Sequence, residues 1–446
     1  MITTQKIALV ALINAIFAPT VFASEQSDAK GFVEDATGSV LFRTGFIDRD
    51  KKGVNQGDDN RSTAQTAIFD LQSGFTQGTI GFGIGILGDW SFKIGDNKHA
   101  GNNMIPRHDD AQGKPNGSPY DQWTRGGANV KARISNTTVT YGTQVLDIPV
   151  FASNTGRLVP EYFTGVLATS REIKDLEVIA GKFTKNQMSD QISTDKNDLK
   201  RAYVWGAKYN INDDAKVAYY GLDSKDKLKR HYINANYKQS LANNDSLTYD
   251  FSGYHTKWDR AANGGLYSYI GPANDSYHNS IWAISATYAT GPHSVMLAYQ
   301  QNDGNVGYDY GQHADGFQSI YLPNSYLSDF NGNKEKSAQI QYNLDFTNYG
   351  VPGLNWTSAY VYGWNIHASD AIKNGDRVVA RVETADNAKE REFFNQVKYT
   401  VQNGFAKDAS LRLRYSHYRA DQAYNNTYMP DTNEWRIFLD IPVKLF

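Results

Sequence analysis

The chain of 446 residues carries 45 Lys and Arg against 47 Asp and Glu, with 29 Tyr, 21 Phe, 8 Trp and no Cys. A balance this close to neutral excludes the basic excess on which nucleic-acid binding draws, and the missing Cys excludes disulfides, thiolate catalysis and zinc–thiolate sites. No run of about 20 apolar residues lies in the body of the chain, so no transmembrane helix is expected.

The first predicted element is a leader. Lys6 precedes an apolar run over 7–18, Pro19 breaks it, and Val21 and Ala23 supply small side chains just before a cleavage point. The pattern predicts a secretory signal peptide over 1–23 and one mature domain over 24–446.

That domain alternates. In 337–346, Ala338, Ile340, Tyr342, Leu344 and Phe346 share one face, and Ser337, Gln339, Gln341, Asn343 and Asp345 share the other. Successive strand residues point to opposite sides, so one face is apolar and the other wet. The pattern recurs along the chain, and a long series of such strands needs either a covering sheet or a bilayer. A barrel crossing takes only about ten residues, half of them facing a polar lumen, and aromatic girdles would use the Tyr and Phe surplus.

Short turn signals occur at 76–78, 135–137, 173–175, 211–214, 242–245, 290–292, 351–353 and 403–408. Long or variable polar connections lie near 48–64, 95–127, 145–163, 183–199, 223–228, 257–278, 301–335, 365–390 and 417–432. Eight turns and nine loops join eighteen strands, with sixteen as the alternative count. The fold class expected is all-β: a transmembrane antiparallel β-barrel with short periplasmic turns, longer outer loops and both termini in the periplasm. An even strand number lets the sheet close and removes its edges. The last strand carries Trp435, Ile437, Leu439, Ile441 and Val443 on one face; the terminal Phe446 falls on the opposite parity.

Several stretches carry a family resemblance. They include Lys30-Gly31-Phe32-Val33-Glu34-Asp35, Gly74-Phe75-Thr76-Gln77-Gly78-Thr79-Ile80-Gly81-Phe82-Gly83, Val130-Lys131-Ala132-Arg133-Ile134-Ser135, Ser328-Asp329-Phe330-Asn331-Gly332 and Tyr349-Gly350-Val351-Pro352-Gly353-Leu354. Ala406-Lys407-Asp408, Leu411-Arg412-Leu413-Arg414 and Asn433-Glu434-Trp435-Arg436 complete the set. Together they resemble the OprD-like outer-membrane porins of Gram-negative bacteria. The resemblance implies an eighteen-stranded barrel with constriction loops folded into the lumen.

Parity alone places four cations. Leu411, Leu413 and Tyr415 share one face of their strand, so Arg412 and Arg414 share the other; Val397 and Tyr399 put Lys398 inside, and Trp435 and Ile437 put Arg436 inside. A cation at mid-depth on the lipid face costs about 2–4 kcal/mol, which favours the lumen. The resemblance implies that these four belong to a basic ladder that draws carboxylates, that Arg49 is another rung, and that Arg157 sits on the inward loop; an ordinary surface arginine is the alternative for Arg157. It also matches Asp329 to an acidic position on a later constriction loop, where a turn or cap is the alternative. Gln318 stands where relatives often carry an acid, which weakens the acidic side.

Two further motifs are set aside. Gly83-Ile84-Gly85-Ile86-Leu87-Gly88 fits a dinucleotide pattern, but its glycines alternate with Phe82, Ile84 and Ile86 as one face of a strand, without the required turn and helix. Arg107-His108-Asp109-Asp110 sits in a Gly-, Asn- and Pro-rich loop without a second ligand pair, so no metal site is expected. No cofactor and no catalytic residue is expected.

The expected function, implied by the resemblance, is passive and substrate-selective uptake of small carboxylate-bearing solutes such as basic amino acids, with carbapenem antibiotics entering by the same path. The alternatives are an outer-membrane barrel hydrolase, a general diffusion pore without selectivity, and a soluble all-β binding protein. The expected surroundings are the bacterial outer membrane with its lipid and lipopolysaccharide, as a monomer or loose trimer.

Overall fold

The computed structural model describes residues 24–52, 60–95, 101–111, 113, 116–194, 199–259, 277–311, 320–374 and 377–446, with the backbone alone at 368–374, 377–384 and 426–427. Residues 1–23, which include the expected signal peptide, and Gln318 lie outside the described residues. Eighteen strands follow one another: β1 Thr37–Lys51, β2 Asn60–Gln72, β3 Ile80–Lys93, β4 Gln122–Ile134, β5 Thr137–Gln144, β6 Tyr162–Ile173, β7 Leu176–Gln187, β8 Ala202–Asn210, β9 Ala215–Ser224, β10 Leu228–Ser240, β11 Ser246–Trp258, β12 Tyr277–Thr290, β13 His293–Gly304, β14 Lys336–Asp345, β15 Leu354–Asn374, β16 Arg377–Thr400, β17 Ser410–Ala420 and β18 Thr432–Lys444. Each pairs antiparallel with its sequence neighbours, and β1 pairs with both β2 and β18, so the sheet closes. Closure leaves no edge whose N–H and C=O groups would lie unpaired in hydrocarbon.

The side chains sort in the reverse sense to a soluble protein. On β14, Ser337 and Gln339 are 0% and 4% exposed, while Ile340 is 51% exposed. Leu297, Ile84 and Ile86 likewise face outward. Apolar faces so exposed, all round a closed sheet, need lipid rather than a second sheet, and this removes the soluble alternative. Gly81, Gly83 and Gly85 are buried on the lumen face of β3; Gln72 and Asn129 crowd the position where a Gly85 Cβ would sit.

Eighteen strands and the eight tight turns agree with the expectation, but two connections do not. The polar stretch 365–390 is not a loop: β15 and β16 run on through it and leave only 375–376 between them, with register shifts above Gly363. Above the bilayer neither face of a strand meets hydrocarbon, so alternation fades and the hairpin looks like a loop. The stretch near 417–432 is shorter than expected too, because β17 reaches Ala420 and a short helix, α1 Gln422–Thr427, precedes β18. Phe446 lies beyond β18, so strand parity does not govern it; its carbonyl accepts from Gly38 N at 3.3 Å beside the barrel seam.

Two connections fold inward and give the lumen a core of its own. In 145–161, Leu146, Ile148, Val150 and Phe151 pack with Phe163, Phe183 and Tyr232 of the wall, and with Tyr308 and Leu322 of the 305–335 connection. The same loop reaches across, for Leu158 and Val159 pack with Ile47, Ala64 and Phe438 on the β1, β2 and β18 side. The 305–335 connection meets a different wall, where Tyr326 and Phe330 pack with Ala359, Val361 and Phe394.

The sorting predicts an asymmetry between faces. Leu297→Arg, on the lipid face, is expected to cost about 2–4 kcal/mol in folding into vesicles, whereas Thr248→Arg, on the lumen face, is expected to cost under about 1 kcal/mol. Urea titration followed by heat-modifiable migration on gels measures both, and equal losses would contradict the assignment of faces.

Candidate constriction and its basic wall

Strand register stacks the inward cations into rungs. From the periplasmic side, Arg43 is paired with Asp440; Lys398 is opposite Arg412, which is opposite Phe438; Arg414 is opposite Arg436; and Arg49 is opposite Glu434. Rungs two residues apart are separated by roughly 6.7 Å along a strand. All five strand cations read from the sequence therefore share one wall, formed by β16, β17, β18 and β1.

Two carboxylates interrupt that wall. Glu434 Oε2 accepts from Arg49 Nε at 2.6 Å, and its Oε1 accepts from Arg436 Nε. Asp440 Oδ1 accepts from Arg43 Nε at 2.7 Å. Six cations thus face two carboxylates over these rungs, counting Arg43. Aromatic rings hold three guanidinium groups: Arg412 and Arg43 lie 5.3 and 5.5 Å from the centre of the Phe438 ring, and Arg414 lies 5.1 Å from that of Phe394.

Arg157 is a fully inward loop residue, 2% exposed, whose Nε donates to Asn102 O at 3.1 Å. Arg43 Nη1 donates to Arg157 O at 3.2 Å, which fastens the loop to the basic wall. Three residues on, at the same end of the loop, the buried Arg125–Asp89 pair does similar work: Arg125 Nη2 donates to Pro160 O at 2.5 Å and to Asp89 Oδ2 at 3.1 Å.

Asp329 sits on the facing loop, 6% exposed, and its carboxylate accepts from Tyr310 OH and Ser325 Oγ. Glu392 and Glu390 of β16 hold the residues just before it. Ser328 N donates to Glu392 Oε2 at 2.9 Å, and Ser328 Oγ donates to Glu390 Oε1 at 3.1 Å. The acidic side thus contains carboxylates beyond Asp329. A cavity of about 260 Å³ is lined by Arg49, Arg157 and Arg436 on one side and by Asp329, Tyr310 and Tyr326 on the other. Lys398, Arg412 and Arg414 do not line it; they continue the basic wall below. Arg436 Nη1, buried there, donates to no protein atom among the described residues.

Arg43, Asp440, Glu434 and Arg125 escaped the sequence reading. The first three were within reach of it: Arg43 shares parity with Arg49, and Glu434 and Asp440 share parity with Arg436. Arg125 stands opposite Asp89 of the neighbouring strand β3, but its carbonyl partners Pro160 and Met188 come from two distant loops that strand parity does not reach. The Arg107–Asp110 stretch is a loop scaffold, with Arg107 donating to Gly117 O at 2.8 Å and His108 stacked on Tyr120.

A family model described as outer membrane porin, OprD family, matches residues 30–445. The chain belongs to the OprD family of outer membrane porins. Porin D of Pseudomonas aeruginosa is 34% identical over 442 residues, 95% of this chain and 94% of that protein. Porin-like protein GalP of Pseudomonas putida is 26% identical over 94% of this chain and 95% of its own. The crystal structure of Acinetobacter baumannii OccAB1 is 65% identical, with a TM-score of 0.86, and the match covers 95% of this chain and all 100% of that one. A BenF-like porin from Pseudomonas fluorescens, 27% identical, matches with a TM-score of 0.79 over 93% of this chain and 100% of its own. The relatives are transport proteins, and membership of the family with this barrel places the chain in the Gram-negative outer membrane.

Two predictions follow from the charges. Glu434→Gln removes the carboxylate shared by Arg49 and Arg436 and is expected to raise the anion-to-cation permeability ratio at least about twofold, read from reversal potentials across a salt gradient. An unchanged or more cation-selective ratio would contradict it. The second concerns Asp309, at the root of the 305–335 connection. Burial pushes its carboxyl up from the ordinary 3.8 to about 6, against the opposing pull of Gly311 N–H and Arg230. The docked loop therefore binds the proton more tightly than the undocked one. Docking strength is fullest below about pH 4, falls as pH rises to about 6 and is flat above. Hydrogen exchange of the loop amides, corrected for intrinsic rate, should follow that course and lose it in Asp309→Asn.

Proposed function

We propose that this porin takes up small carboxylate-bearing solutes passively, basic amino acids among them, with the carboxylate handed down the basic wall. The observation that carries the reading is Arg436: a buried guanidinium whose Nη1 has no protein acceptor among the described residues, lining a cavity with Arg49 and Arg157. A buried charged donor is costly to leave unmet, and a solute carboxylate or its water would meet it. Asp329 across the cavity suits the cationic end of the same solute.

In this reading Arg49, Arg157 and Arg436 receive the carboxylate, Arg414, Arg412 and Lys398 pass it on, and no bond of the solute is made or broken. Each contact contributes about 1 kcal/mol at the dielectric of water and about 4 at an effective value near 20, enough to concentrate a solute without trapping it. The family resemblance adds carbapenem antibiotics, which carry a carboxylate, to the solutes that use the path. Residues 1–23 act as a removable leader, and the barrel works as a monomer or loose trimer.

Planar-bilayer recording and liposome swelling test this. Arg412→Ala with Arg414→Ala is expected to lower conductance and anion preference at least about threefold, and to slow swelling in arginine, glutamate and benzoate relative to a neutral sugar. Unchanged conductance, or sugar entry as fast as that of the carboxylates in the unaltered protein, would favour a general diffusion pore.

A further inference from the structure

We propose that the outer wall of β10–β12 carries a binding site for a phosphorylated, multiply acylated lipid, the lipid A part of the lipopolysaccharide of the outer leaflet. On the lipid side, Lys229 of β10 is directly opposite Lys257 of β11, and Lys257 is opposite His278 of β12. One step further into the membrane His231 is opposite His255, which is opposite Ser280. Like charges directly opposite one another across a ladder are destabilising. The lipid faces of β10, β11 and β12 carry no carboxylate; among the described residues the nearby acids include Asp259, two residues after Lys257, Asp223 of β9, whose Oδ2 is 4.0 Å from Lys229 Nζ, and Asp303 of β13, which is opposite Ser280 and accepts from Gln301 Nε2 at 2.8 Å. An anion seated over the central strands would relieve the repulsion.

The height of the cations suits a headgroup. A crossing takes about ten residues. The lysine row stands ten residues above Gln239, whose row carries Tyr288 at the periplasmic girdle. Lys229 and Lys257 therefore lie at the outer boundary of the hydrocarbon. His231 Nδ1 is 2.8 Å from Tyr219 OH, and His255 Nδ1 is 2.8 Å from Ser280 Oγ. With each Nδ1 accepting from a hydroxyl, Nε2 carries the proton and can donate to a phosphate oxygen.

Directly below is room for hydrocarbon. Ile233, Gly253 and Trp282 form the next outward row, and a notch of about 430 Å³ lies beside the two histidines, with Gly253 among its lining residues. The notch meets a second apolar groove, of about 780 Å³, at Phe251. A row of cations above a notch that runs into a longer apolar groove is complementary to a phosphate joined to acyl chains, and the outer leaflet supplies that chemistry.

The test uses the full barrel in detergent, with native mass spectrometry against diphosphorylated lipid A, phosphatidylglycerol and inorganic phosphate. The unaltered protein should retain lipid A, and inorganic phosphate should leave no adduct. Lys229→Gln and Lys257→Gln, each a surface change, are expected to lower retention roughly fivefold apiece. Gly253→Leu should fill the notch and lower it as well, while Arg412→Ala, inside the lumen, should leave it unchanged. Wild-type retention in both lysine variants and in Gly253→Leu would overturn the proposal. So would phosphatidylglycerol retention equal to that of lipid A with the same dependence on the lysines.

Discussion

Hydrocarbon gives the backbone nothing to bond to, so every N–H and C=O that crosses it must find a partner within the sheet. The pairing of β1 with β18, from Ser39 opposite Lys444 to Lys51 opposite Thr432, is therefore the contact on which the other features rest. Closing the ring fixes which face of each strand meets lipid. Once that face is fixed, period-two alternation sends Arg412, Arg414, Arg436 and Lys398 to the lumen together, and register decides which of them meet. Closure completes the basic wall: β16, β17 and β18 are sequence neighbours, and joining β18 to β1 adds Arg43 and Arg49 to them.

A ring of eighteen strands is too wide to select among small solutes by itself. The inward connections narrow it, and they do so by ordinary burial. Leu146, Val150 and Phe151 dock on the β6–β12 wall, while Leu158 and Val159 reach the opposite side near Phe438. Tyr326 and Phe330 anchor the other connection on β15 and β16. With apolar residues setting where each loop lands, Arg157 and Asp329 are brought to opposite sides of one cavity. Polar clasps then fix each loop in place, with Arg43 and Arg125 on the backbone carbonyls of Arg157 and Pro160 in one and Glu392 on the backbone N–H of Leu327 and Ser328 in the other.

Much of this was legible in the chain. Tight turns between alternating segments set the strand number, and parity set the side of Arg412, Arg414, Lys398 and Arg436, whereas Arg49 came from the resemblance and Arg43 and Arg125 were not read. The length of the β15–β16 hairpin was not legible, because above the bilayer both faces are wet and the period-two signal disappears. Nor was the neutralisation at Glu434 and Asp440 read, although both share parity with Arg436: attention to cations alone misses the acids interleaved with them. The meeting of Arg157 with Asp329 depends on how two loops pack across a lumen, and strand periodicity carries no information about that.

The interleaved acids bear on how a selective path avoids becoming a trap. Arg414 and Arg436 are opposite one another, and two bare guanidinium groups so placed would hold an anion hard. Glu434 takes part of the charge of Arg436 and Arg49, and Asp440 takes part of that of Arg43. The rings of Phe394 and Phe438 steady Arg414 and Arg412 in a different way, since a cation is attracted to an aromatic face without an acceptor for its N–H groups. Successive rungs, roughly 6.7 Å apart along the strands, lie within the ~8 Å screening length of physiological salt. Under the proposed function a carboxylate leaving one rung is already attracted by the next, and moderate sites in series favour passage over retention.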